Sequence, residues 1–189
     1  RVPLSWIPGA TVTVQPGMTL DDLNNYLARF GKKIGPDPSS SNRAVIGGVV
    51  ANNSTGSHSL QFGYIAEHIE SILAVLYDGS VVRLENNVRP QDIANPTLKK
   101  IASELLALLE ENRQTIESAR RTTPRDRCGY NIRGIFRDGK IDIAKLMASS
   151  EGTLAIFAEI TLRTVDIPKA KTLLLLEFDN LDSMAKSSP

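Results

Sequence analysis

With one cysteine, Cys128, in 189 residues, the chain can form no internal disulfide and, from its own residues, no thiolate metal site. That usage is compatible with a reducing, cytoplasmic compartment. No apolar run approaches the roughly 20 residues that span a bilayer, so a membrane-spanning helix is excluded and a peripheral position at a membrane surface stays open. Charge of one sign is also lacking. The formal net charge of +1 gives no electrostatic reason to expect nucleic acid, and the one basic patch, Arg120, Arg121, Arg125 and Arg127, reads first as a solvated loop. Missing too are a G-x-x-x-x-G-K-S/T phosphate loop, a G-x-G-x-x-G turn after a strand, an H-E-x-x-H pair and a G-x-S-x-G elbow, which removes nucleotide binding by those routes. There is no initiator methionine and no signal-peptide pattern before Trp6, and a helix beginning at Leu181 stops at Pro189 before it has buried anything. Both ends therefore read as the boundaries of an excised piece.

What is present suits a soluble globular chain: 41% apolar and 23% charged residues, enough length for one domain or two small subdomains. Val12 and Val14 alternate with polar residues as in a half-buried strand, ended by Gln15-Pro16-Gly17. Thr19 can cap a helix with Asp21 and Asp22 in its first turn, an apolar stripe of Leu20, Leu23, Leu27 and Phe30, and Gly31 as its left-handed stop. Residues 35–41 and 46–56 are dominated by Gly, Pro, Ser and Asn and predict loop and tight turns. Ile69 to Tyr77, then Asp78-Gly79, then Val81, Val82 and Leu84, predict a hairpin with a primed two-residue turn. Asn95-Pro96 opens a long helix with Ile101, Leu105, Leu108, Leu109 and Ile116 on one face, ending before Pro124. Leu154, Ile156, Ala158, Ile160 and Leu162 alternate as a long strand, and Thr172 to Phe178 predicts another after Pro168. Strands and helices mix without a regular βαβ repeat, so the fold class is α+β, a mixed or antiparallel sheet flanked by helices.

The chemistry concentrates in glycines and small amides from Gly47 to Gly63, where absent side chains let backbone N–H groups approach a ligand closely. On spacing alone, tight turns are the better reading of these glycines. The ordered motifs change that balance. Gly35-Pro36-Asp37-Pro38, then Ile46-Gly47-Gly48-Val49-Val50-Ala51-Asn52-Asn53-Ser54-Thr55-Gly56, then Phe62-Gly63, resemble the FAD-binding stretch of the glycolate oxidase, D-lactate dehydrogenase and D-2-hydroxyglutarate dehydrogenase family, with its IGG-x-V/I-A-T/N-N-x-x-G followed by YG. Arg127-Cys128-Gly129-Tyr130-Asn131-Ile132 resembles the family's GYN motif, and Ser150-Glu151-Gly152-Thr153-Leu154-Ala155-Ile156 its GSEGTLGI signature. Ser149 stands where that signature often has glycine, and Phe62 where a tyrosine is usual. The Arg-Cys-Gly-Tyr-Asn wording and Leu162-Arg163-Thr164-Val165 resemble most closely the larger members, fused to an iron–sulfur region.

The resemblance implies the second subdomain of an FAD-binding domain of the vanillyl-alcohol-oxidase type over residues 1–168, and the truncated start of a substrate or cap domain over 169–189. It implies FAD contacts at Pro36, Gly47, Gly48, Asn52, Asn53, Ser54, Gly56, Gly63, Ile69, Gly152, Thr153 and Ile156, no catalytic residue and no metal ligand within these residues, and oxidation of a 2-hydroxy acid by hydride transfer to the flavin. The implied partners are that small-molecule substrate and an electron acceptor, an iron–sulfur domain or a quinone-linked protein. A non-catalytic nucleotide- or partner-binding module of the same fold is the alternative. The family's Pro-Gly-Gly-Gly-Thr-like pyrophosphate turn has no counterpart here, so FAD binding by this piece alone is expected to be weak or absent. Bland readings stand beside these: turn capping for Asn53 or Ser54, backbone holding for Glu151, packing for His68, Cys128 and Tyr130, and a surface role for His58 as much as a flavin-facing one.

Overall fold

The computed structural model describes residues 5–7, 11–119, 129–170 and 172–187, with side chains from residue 11 onward. The basic cluster Arg120 to Arg127 and Cys128 lie outside the described residues. In chain order the elements are β1 (Ser5–Ile7), β2 (Thr11–Val14), α1 (Leu20–Ala28), β3 (Lys32–Lys33), α2 (Ile46–Ala51), α3 (Ser59–Phe62), β4 (Ile69–Val75), β5 (Val81–Glu85), α4 (Pro96–Glu111), α5 (Arg113–Ser118), β6 (Phe136–Arg137), β7 (Lys140–Ile141), α6 (Ile143–Leu146), β8 (Ile156–Arg163), β9 (Val165–Asp166) and α7 (Leu181–Ser187).

Five strands form one sheet in the order β1-β2-β8-β4-β5, and every pairing in it is antiparallel, not mixed. Register puts Val14 opposite Ile160, Ile160 opposite Ile72 and Ile72 opposite Leu84, so one apolar row crosses four strands. All four side chains are buried. Because side chains alternate faces, the next row, Thr13, Thr161, Ser71 and Glu85, is polar, and the Thr13 and Thr161 hydroxyls hydrogen-bond at 2.9 Å. Helix α2 contacts β8, and α6 contacts β4 and β5, sharing the buried cluster with the apolar face. The result is α+β, with an antiparallel sheet flanked by helices.

Helix α1 follows its sequence cues: Thr19 accepts from the Asp22 N–H at 3.2 Å, Leu20, Leu23 and Leu27 are buried, and Gly31 has φ +69°. Phe30 departs from the stripe. It lies beyond the helix end, 41% exposed, with its ring 5.6 Å from that of Tyr26. The hairpin turn also differs. Gly79, φ +81°, is left-handed while Asp78 is not, and Leu76 N–H bonds Ser80 O, so the loop is Tyr77-Asp78-Gly79 rather than a primed two-residue turn. The primed turn occurs at Asp138-Gly139 between β6 and β7, where both residues have positive φ. The long helix is broken at Asn112 into α4 and α5, and Leu108 is exposed. β8 starts at Ile156, two residues later than its pattern suggests, and Ile156 is 72% exposed. No strand forms over Thr172 to Phe178. Leu173, Leu174, Leu175 and Leu176 are exposed there, and no described strand pairs with them.

Asp78 ties the hairpin loop to the next helix: Ser80 N–H and Oγ donate to its Oδ1 at 2.9 and 2.6 Å, and Thr97 Oγ1 donates to its Oδ2 at 2.6 Å. The Ser80 hydroxyl, then the Thr97 hydroxyl, hold the Asp78 carboxyl down at about 2. A depressed carboxylate contributes stability above its unfolded value of 3.8 and loses it as pH falls toward 2. Thr97→Val removes one donor, so an NMR titration of the Asp78 carboxyl should move toward 3.8 in that variant, and acid unfolding should begin at higher pH.

Candidate cofactor cleft

Residues 46–51, expected as loop, form the helix α2. Ile46, Val49 and Val50, spaced i, i+3 and i+4, are buried on one face, and this burial outweighs a cost of about 1 kcal/mol for each helical glycine. Its first amides are already engaged: Ile46 N–H bonds Met18 O and Gly47 N–H bonds Pro16 O, each at 2.8 Å. The glycines serve two purposes. A Cβ on Gly47 would lie 2.8 Å from Pro16 Cβ, so Gly47 lets α2 press on the turn after β2. A Cβ on Gly48 would meet only Val45 Cγ2 at 3.8 Å, leaving that backbone open.

Facing α2 is the loop 149–153, in which Ser149 (φ +67°), Glu151 (φ +49°) and Gly152 (φ +78°) are left-handed. Two of these carry side chains, each adding roughly 1–2 kcal/mol of backbone strain that surrounding bonds must hold. Those bonds are Glu151 N–H to Ala51 O at 3.0 Å, Thr153 Oγ1 to Ser150 O at 2.6 Å, and the Tyr130 and Thr153 hydroxyls at 2.9 Å. Ser150 is buried, and its Oγ has no protein partner. Between α2 and this loop lies an open cleft of about 590 Å³, lined by Pro16, Gly47, Gly48, Ala51, Asn52, Glu151, Gly152 and Ala155 to Phe157.

The residues singled out from sequence fall in three places. Gly47, Gly48, Asn52, Gly152 and Ile156 line the cleft, with Thr153 on its supporting loop. Pro36, Asn53, Ser54, Gly56 and Gly63 lie outside the lining. Asn53, buried at φ +46°, follows the Asn52 cap of α2, and its Oδ1 accepts the Ala66 N–H at 3.1 Å while its Nδ2 has no protein partner. Ser54 O accepts the Ile65 N–H, and the Thr55 hydroxyl donates to Gly63 O at 2.6 Å. Pro36 is buried, and a Cβ on Gly56 would fall on the Asp37 backbone carbonyl. Ile69 is elsewhere: its carbonyl accepts from Asn86 Nδ2 at 2.8 Å, and it lines a separate charged cleft of about 440 Å³ with Arg137, Lys140, Lys145 and Arg163. Sequence reasoning missed Pro16, Ala51, Ala155 and Phe157, which carry no chemical signal and reach the cleft only through the register of β8 and α2. Among the described residues no three His, Cys, Asp or Glu side chains converge as metal ligands, and no helix is long and apolar enough to cross a membrane.

Glycine backbone, Ile156, Phe157 and one amide side chain thus share the lining of one open cleft. Residues 4–85 match the family described as FAD binding domain. The chain is 31% identical to D-2-hydroxyglutarate dehydrogenase of Escherichia coli (strain K12), over 94% of this chain and 18% of that protein. It is 28% identical to D-lactate dehydrogenase [cytochrome] 1, mitochondrial, of Saccharomyces cerevisiae, over 92% and 22% of the two chains, and 27% identical to glycolate oxidase subunit GlcD of Bacillus subtilis, over 94% and 28%. A solved structure of alkyldihydroxyacetonephosphate synthase shares the fold, with a TM-score of 0.52 at 20% identity over 89% of this chain and 22% of that one. The chain is thus similar over nearly its whole length to FAD-linked dehydrogenases and oxidases, with residues 4–85 matching the FAD-binding domain, and it spans between 18% and 28% of the length of these curated relatives.

The two kinds of glycine should separate in mutagenesis. Gly47→Ala forces a contact with Pro16 and should cost about 1–3 kcal/mol. Gly48→Ala has space and should be neutral or stabilising by up to about 1 kcal/mol. Chemical denaturation of the two variants checks both.

Proposed function

We propose that this chain forms one wall of the FAD site in an oxidoreductase that oxidises a small 2-hydroxy acid. The observation that carries the reading is the cleft between α2 and the loop 149–153, which gathers Gly47, Gly48, Asn52, Gly152 and Ile156 from two motifs about 100 residues apart. The residues fit a flavin: the Cβ positions of Gly48 and Gly152 face no backbone obstruction, Ile156 and Phe157 offer apolar contact to a ring, and Asn52 offers an amide to its polar edge. When bound, FAD supplies the hydride acceptor. This chain's residues bind and orient: the strained loop, braced by Thr153 and Tyr130, fixes one side of the site, and Gly47 against Pro16 fixes the other.

The substrate class follows from relatives named for D-2-hydroxyglutarate, D-lactate and glycolate. The 31% identity to a relative of which this chain covers only 18% supports membership among the larger relatives; an iron–sulfur region and a separate electron acceptor rest on the resemblance of Arg-Cys-Gly-Tyr-Asn and Leu162-Arg163-Thr164-Val165 alone. In the same reading residues 1–168 are the later part of the FAD-binding domain, and 169–189, with their exposed leucines, open the segment that follows it.

The test uses the full-length protein carrying these residues. It should be yellow as isolated or on adding FAD, and bleach with one of D-2-hydroxyglutarate, D-lactate or glycolate. Gly48→Leu should weaken FAD binding about tenfold or more while keeping the thermal midpoint of the apoprotein. Colourless protein that takes up no FAD overturns the cofactor reading. Stable flavin that none of these acids bleaches favours a binding module without turnover.

A further inference from the structure

The chain's two histidines meet at one place, away from the cleft lining. His68 Nε2 lies 2.8 Å from the Phe62 carbonyl, and the His58 ring is tilted 52° against the Phe62 ring at 6.3 Å. Lys33 Nζ is 4.8 Å from the same ring's centre. Asp37 closes the group. Its Oδ1 accepts the His58 backbone N–H at 3.1 Å, and its Oδ2 accepts from the His58 ring Nδ1, in a short contact, and from Ser57 Oγ at 3.1 Å. Burial works to raise the Asp37 carboxyl, and the His58 ring, the His58 amide and Ser57 outweigh it, so the group sits below its ordinary value. Beside this pair, Gly56 is packed so closely that a Cβ would overlap the Asp37 backbone.

Segment 56–58 is therefore held on Asp37 twice, by close packing and by hydrogen bonds. The segment matters because of its neighbours. It lies in the chain's connection from α2 to α3 and onward to the sheet, and Asn53 and Ser54, just before it, accept the Ala66 and Ile65 N–H groups. Asn52, which lines the cleft, is the residue that ends α2. A hold on Asp37 fixes the loop that leaves Asn52, and the loop fixes where α2 ends.

We propose that Asp37 and His58 are a positioning pair for this wall of the cofactor site: their hydrogen-bonded pairing sets the loop from Asn52 to Gly63 and, through it, Asn52 and the exposed backbone of α2. This rests on the FAD reading of the cleft. A hydrogen-bonded pair of this kind specifies geometry more than it adds stability, since half-exposed ion pairs contribute little net energy. It also has a conservative replacement. An arginine at position 58 keeps a permanent charge and donors matched to a carboxylate.

The experiment compares the wild-type full-length protein with Asp37→Asn, His58→Ala, His58→Arg and the milder Ser57→Ala. Amide hydrogen exchange is followed at residues 54–63, and FAD affinity by flavin fluorescence titration. Asp37→Asn and His58→Ala should speed exchange and weaken FAD by about tenfold, Ser57→Ala by a smaller factor in the same direction, and His58→Arg should return both toward wild type. Unchanged exchange in Asp37→Asn and His58→Ala, or faster exchange with wild-type FAD affinity, or an Arg variant no better than Ala, overturns the positioning pair. Should Asp37→Asn fail to fold, the same two measurements on Ser57→Ala, His58→Ala and His58→Arg decide between these outcomes. Failure of the wild type itself to take up FAD overturns the cofactor reading instead, and with it any role of the pair toward FAD.

Discussion

Ile160 lies between Val14 on one side and Ile72 on the other, and that buried contact at the centre of the sheet is the constraint on which the remaining structure depends. β8 comes from late in the chain and inserts between β2 and β4, strands that precede it by many tens of residues; the Thr13–Thr161 hydrogen bond spans 148 positions. Once β8 is seated, its first residues, Ile156 and Phe157, stand at the cleft, and the loop before it is brought to α2, where Glu151 N–H reaches Ala51 O. The cleft wall is thus a by-product of the sheet's register. A register slip of one residue would turn Ile160 and Leu162 outward and Thr161 inward, so the alternation that buries β8 also fixes its placement. Such long-range pairing carries a loop-closure cost that grows with the logarithm of separation, which the apolar row must overcome before the cleft exists.

The two glycine-bearing motifs work by opposite means. In α2, Gly47 is required by its neighbour Pro16 and Gly48 by nothing in the fold, so one is packing and the other is open surface. In the loop 149–153 the issue is conformation: Ser149 and Glu151 occupy a backbone region that favours glycine, and a set of hydrogen bonds from Thr153, Tyr130 and Ala51 holds them there. Strain maintained beside a cleft suits a wall whose shape must not relax when a ligand arrives.

Much of this is legible in the sequence, for local reasons. The Thr19 cap, the Leu20, Leu23 and Leu27 stripe, the Asn95-Pro96 start and the Ile160–Leu162 alternation each express their own periodicity or cap chemistry. The failures share a different cause. Ile46–Ala51 reads as loop because its glycines have poor helix propensity, and the helix exists because Met18 and Pro16 accept its first amides, which no local pattern reveals. Thr172 to Phe178 has strand composition but no described partner strand, and a strand is a relation between two segments. The cleft shows the same division: its glycines and Asn52 are readable as motifs, whereas Pro16, Ala155 and Phe157 belong to it only through packing. Motif order also merges two sets of residues that the fold separates, those on the cleft and those away from it, Pro36 and Gly56 beside Asp37 and Gly63 at the end of α3.

Electrostatics limit which part of FAD this wall can serve. The charged side chain on the cleft is Glu151, and among the described residues no Lys or Arg lines it. A pyrophosphate placed there would face a like charge, worth about 1 kcal/mol at roughly 4 Å even in bulk water and more where solvent is excluded. An uncharged isoalloxazine ring has no such conflict, and Ile156, Phe157 and bare glycine backbone suit its faces. In the proposed reading the wall therefore serves the ring end of the cofactor, with donors for the phosphates coming from outside these lining residues. In that reading changes at Gly48, Asn52 and Gly152 act on the environment of the flavin ring, so they register in the ring's absorbance as well as in FAD affinity.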